Sequence, residues 1–147
     1  MIFYKAFADM EVVLGRGGQL MSFEAVFSPK DGNGQPRPIW NRVTGAVDPD
    51  TARYWEKYDI RLQLERNWPS LGPRLKGKIH VFMGDMDTFY LEGATRLLKE
   101  SLAKLGSDAV VELFPGKDHR TLMTATSLPK RIAVEMAETF KKHHPTP

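Results

Sequence analysis

The chain has 147 residues, 41% of them hydrophobic and 27% charged, a balance that suits one soluble globular domain with a core of its own. The net charge is only +3, with basic residues scattered among acidic ones, so the dense Lys/Arg stripe of a nucleic-acid binder is missing. There is no cysteine, no run of roughly twenty apolar residues and no signal-peptide pattern in residues 1–6; disulfides, thiolate metal sites and membrane partners are therefore excluded, and a cytoplasmic location is expected.

In chain order, residues 5–14 are compatible with a helix, because Phe7, Met10, Val13 and Leu14 share a face. Gly15-Arg16-Gly17-Gly18 follows as a glycine C-cap and turn; without a preceding strand, a Lys-Ser/Thr pair or a third spaced glycine, it does not read as a phosphate loop. Residues 28–45 are rich in Pro, Gly, Asn and Asp, and Asp31-Gly32-Asn33-Gly34 predicts a surface hairpin or excursion flanked by residues 23–27 and 39–43. The segment lacks the regular acidic spacing and final Glu of a calcium loop. Asp48-Pro49 starts a helix carrying Tyr54, Trp55 and Tyr58. The series Ile60, Leu62, Leu64 and Trp68 fits either a strand or a continued helix.

The pattern becomes clearer from Lys78 onward. Residues 79–83 form a short apolar run ending at Gly84, as a buried parallel strand would. Residues 91–105 read as a helix with Leu91, Ala94, Leu97, Leu98, Leu102 and Leu105 on one side, closed by Gly106. Residues 109–114 are a second strand ended by Pro115-Gly116. A last helix over 129–143 has Ile132, Ala133, Met136 and Phe140 as its apolar face. This strand–helix–strand–helix order implies a parallel crossover. The fold class expected is α/β, a parallel sheet core flanked by helices.

Residues just beyond the carboxyl ends of parallel strands face the crevice where such proteins work. Two segments hold that position: Gly84-Asp85-Met86-Asp87-Thr88 and Pro115-Gly116-Lys117-Asp118-His119. A carboxylate and an imidazole on neighbouring strand ends can form the orienting pair of a nucleophilic triad, the acid fixing the tautomer and the imidazole taking the nucleophile's proton. Asp85 and Asp87 compete for the acid role, while turn formation or helix capping is the plainer reading of Asp85 and Asp118. His80, within an apolar strand, reads as a core residue, and the adjacent His143 and His144 as solvated tail residues rather than metal ligands.

The order acid-then-histidine is that of the α/β hydrolases. Residues 78–87 resemble the seventh strand and acid loop of that fold, and residues 111–119 its eighth strand and histidine loop. Gly84-x-x-Asp87 and Pro115-Gly116-x-Asp118-His119 resemble the esterase D and feruloyl-esterase-like branch. Gly17-Gly18-Gln19-Leu20 and residues 22–29 are similar to the middle portion of bacterial esterases of that branch. The resemblance implies a partial or minimal α/β hydrolase: one domain in which residues 1–77 are an insertion or cap-like region and residues 78–147 the acid-and-histidine unit. It implies a carboxylic-ester hydrolase acting on a short-chain ester, with Asp87 as acid and His119 as base, and no cofactor or metal.

The family's nucleophile lies in a Gly-x-Ser-x-Gly elbow. None of the six serines here has glycine at both flanking positions, and the resemblance begins after the elbow. Ser22, then Ser28, are the nucleophile candidates because they precede the pair in chain order. The rival reading is a non-catalytic remnant or binding module of the same fold; a third is a serine supplied by a neighbouring chain. An uncovered sheet edge leads to the expectation of a homo-oligomer.

Overall fold

The computed structural model describes residues 4–15 and 18–144. The chain divides into two compact units, Met1–Arg66 and Asn67–Pro147. Among the described residues no helix is long and apolar enough to cross a membrane.

In the first unit, helix α1 (Tyr4–Leu14) ends at Gly15, whose φ of 101° is left-handed and whose amide bonds the Glu11 carbonyl. Arg16 and Gly17 of the expected glycine turn lie outside the described residues. Helix α2 (Gln19–Phe27) is capped from α1: both carboxylate oxygens of buried Glu11 accept from the Leu20 amide at 3.0 Å. Ala8, Leu20 and Trp40 form the small core here, with Phe7 and Ile39 packed on it.

Residues 23–27 were expected to flank a hairpin, and they are helical instead. Leu20 and Glu24 fall four apart on one buried side of α2, and the Glu24 carboxylate accepts from the Ile39 amide at 2.9 Å and pairs with Arg42. The expected turn is present: Asp31 Oδ1 accepts from the Asn33 and Gln35 amides, and Gly34 is left-handed. Its strands shrink to isolated antiparallel bridges, Lys30 with Pro36 and Trp40 with Val47. Pro29, Pro36 and Pro38 have no N–H to extend a ladder.

Asp48 caps helix α3 (Pro49–Trp55) by accepting from the Thr51 amide at 2.7 Å, with Pro49 in the first turn. That bond from the Thr51 amide, with Arg37 nearby, holds the Asp48 carboxyl below its ordinary value. A single 3-10 turn, Glu56–Tyr58, follows. The segment left open between strand and helix is helix α4 (Ile60–Leu75).

The second unit holds strand β1 (His80–Gly84), helix α5 (Leu91–Lys104), strand β2 (Val110–Phe114), the short α6 (Thr121–Thr124) and helix α7 (Leu128–His143). The two strands pair in parallel, His80 opposite Val110 through Gly84 opposite Phe114. This is an α/β arrangement with the expected element order. Its burial differs from expectation: within the strands Gly84 and Val111 are buried, while Val81, Phe82 and Met83 are half-buried. His80, expected in the core, has a 40% exposed side chain 3.4 Å from the Glu135 carboxylate. Leu102 of α5 and Leu128 of α7 are buried, but Leu91, Leu97, Met136 and Phe140 on the expected inner faces are exposed. A two-stranded sheet is too narrow to cover the full apolar stripe of both helices.

Candidate acid–base site

The parallel register ends with Gly84 beside Phe114, so the loops that follow start side by side. Gly84 permits their close approach, since a Cβ there would lie 2.1 Å from the Lys117 carbonyl oxygen. The Asp85 amide donates to the Phe114 carbonyl at 3.1 Å, and the Met86 amide to that of Lys117 at 3.0 Å. The Gly116 amide returns a 2.7 Å bond to Asp85 Oδ1. Asp85 thus clamps one loop to the other, and Gly116 turns the chain with a left-handed φ of 65°.

This stitching brings Asp87 Oδ2 to 2.8 Å from His119 Nδ1. The acid side chain is 1% exposed and the imidazole 53%. Asp87 Oδ1 accepts from the amides of Phe89 (2.8 Å) and Leu91 (3.3 Å) at the start of α5, and the Asp87 carbonyl accepts from the Tyr90 amide. Burial pushes the Asp87 carboxyl up. The bonds from His119, Phe89 and Leu91, with the His119 charge, outweigh it and hold the group below its ordinary value. An ionised carboxylate can only accept, so Nδ1 carries the proton and Nε2 of the neutral ring is the basic atom.

The two loops therefore separate the acid candidates: Asp87 meets the histidine and Asp85 holds the loops. Asp118 accepts from the Arg120 and Thr121 amides and the Thr121 hydroxyl, nucleating the unanticipated α6. Those Thr121 bonds lead the causes that lower the Asp118 carboxyl. His144 stacks on Phe140 with ring centroids 4.3 Å apart, and His143 ends α7.

Ser22 belongs to the first unit, where its hydroxyl donates to the Gly18 carbonyl at 2.9 Å; it takes no part in the hydrogen-bonded pair. Ser28, in the same unit, accepts from the Trp55 indole N–H. In the second unit the Ser70 hydroxyl donates to the Asn67 carbonyl and the Ser107 hydroxyl accepts from the Ala109 amide. No group of three or more His, Asp or Glu side chains among the described residues could hold a metal ion. The sequence reading missed the loop-packing function of Gly84 and the ring of Phe89, which meets the His119 ring edge-on. Glycine directly before Asp-x-Asp at a strand end was the available signal for the first; an isolated aromatic in a turn gives none.

Comparison of the chain with protein-family models, curated proteins and solved structures found no match.

Proposed function

We propose that Asp87 and His119 are the acid–base half of a carboxylic-ester hydrolase site, in a minimal α/β-hydrolase arrangement acting on short-chain esters. The observation that supports this reading is the 2.8 Å bond from His119 Nδ1 to a buried carboxylate, which leaves Nε2 as a base. A hydroxyl nucleophile gives its proton to Nε2 as its oxygen attacks the ester carbonyl carbon. Asp87 stabilises the imidazolium, which then protonates the departing alcohol. By chain order the nucleophile candidates are Ser22, then Ser28, then a serine of another chain.

No flanking glycines form an elbow around Ser22 or Ser28, and each missing oxyanion donor costs about a hundredfold or more. Turnover of a 4-nitrophenyl acetate substrate should therefore be slow. His119→Ala should lower it by at least about tenfold, within the range of general-base catalysis. Ser22→Ala should abolish labelling by a fluorophosphonate probe; persistent labelling would move the assignment to Ser28 or another chain. The second reading, a binding module without turnover, is favoured by the Ser22 hydroxyl proton, which is already given to the Gly18 carbonyl. Rates equal in wild type and His119→Ala would decide for it.

A further inference from the structure

Resting on the acid–base reading of the pair, we propose that Phe89 is a positioning residue that holds the His119 ring in the orientation Asp87 requires. A single bond at Nδ1 fixes one point of the imidazole and leaves the ring free to swing about its two side-chain torsions. The ring is also half exposed, so the core does not restrain it. Phe89 supplies the second restraint: the two rings meet edge-on, centroids 4.9 Å apart and planes at 82°. That geometry is the favoured T-shaped contact of aromatic rings.

Phe89 is itself 55% exposed, so burial does not explain its place. The backbone that carries it is built around the acid. Its amide donates to Asp87 Oδ1, and the next amide, Tyr90, donates to the Asp87 carbonyl. Tyr90 adopts φ 60° and ψ 29°, and it is the one described non-glycine residue with positive φ. A side chain in that region is disfavoured, and a strained residue persists where its surroundings dictate the conformation. One carboxylate thus fixes both the imidazole and the turn that delivers the ring packed against it.

The test is nitrogen-15 NMR of the histidines in wild type, Phe89→Ala and Phe89→Tyr, above the pH where the imidazoles titrate, with 4-nitrophenyl acetate kinetics alongside. In wild type, His119 should be a single tautomer protonated at Nδ1. Phe89→Ala should give a mixture of tautomers and a kcat about tenfold lower at unchanged KM, as loss of orientation does; Phe89→Tyr should restore both. Circular dichroism checks folding, and Phe89→Leu replaces the alanine variant if that variant unfolds. A His119 tautomer unchanged by loss of the aromatic ring, or already mixed in wild type, overturns the proposal. Absence of His119-dependent hydrolysis would instead overturn the acid–base reading, while the tautomer still decides whether Phe89 orients the ring.

Discussion

At the scale of single residues, the carboxylate of Asp87 is divided between two tasks, one oxygen on the imidazole and the other on the amides of Phe89 and Leu91, just before and at the start of α5. Its folded-state pKa lies below the ordinary value of about 3.9. The stability it contributes is therefore fully present above that value and is lost as the pH falls through the lower folded value. Asp87→Asn should flatten this acid limb in urea midpoints measured from pH 7 to pH 3; an unchanged limb would place the pH dependence elsewhere. Gly84→Ala puts a methyl against the Lys117 carbonyl. It should destabilise by about 1–3 kcal/mol, the range of overpacking, and remove the Asp87–His119 bond, read as loss of the Nδ1-protonated tautomer. Asp87 and His119 were legible because each follows a recognisable strand and glycine. The resemblance named Asp87 as the acid, but the residue pattern alone left Asp85 in competition, since their difference is whether the side chain meets an imidazole or the Gly116 amide, which only the paired loops decide.

At the scale of elements, periodicity worked where one face dominates. Residues 91–105 and 129–143 gave α5 and α7 nearly to their ends, and Asp48-Pro49 gave the start of α3. It failed at residues 23–27, where Phe23, Val26 and Phe27 have strand-like character but the buried positions Leu20 and Glu24 are helical neighbours. A buried glutamate cannot be anticipated as part of a core face before its partners Ile39 and Arg42 are known. Helix α7 is tied to the sheet in two ways. Leu128 is buried, and Arg131 makes two bonds to Glu112 of β2, one to Glu135, and lies over the Phe82 ring at 5.0 Å. Arg131 bonding holds the Glu112 carboxyl below its usual range. Leu128→Ala should cost about 2–4 kcal/mol, as for other buried leucines. Arg131→Ala should lower the melting temperature less, by an amount that shrinks in high salt because its partners Glu112 and Glu135 are only half-buried. An Arg131→Ala loss as large as that of Leu128→Ala and shrinking in high salt would show that the ion network holds the helix instead, whereas a salt-independent loss would assign it to the contact with the Phe82 ring.

At the scale of the whole molecule, the parallel pair and its order of elements followed from the sequence, but the width of the sheet did not. Short apolar runs signal strands without saying how many neighbours each will have. Among the described residues of the second unit, β1 pairs with β2 alone. The consequence is visible on α7, where Met136 and Phe140 are 68% and 63% exposed on the face expected to be covered. An open strand edge offers unpaired N–H and C=O groups to another chain, and neighbouring apolar side chains add a hydrophobic term to that association. The chain is therefore expected to form a homo-oligomer at micromolar concentration, measurable by light scattering. Met136→Glu combined with Phe140→Glu should shift the population toward monomer, because both side chains are already in water in the single chain and a charge there penalises association rather than folding. A wild-type species that scatters as a monodisperse 16.7 kDa monomer and unfolds cooperatively would rule out the oligomer. The edge of β1 and the apolar side of α7 would then be tolerated in water by a chain that needs no second copy to be stable.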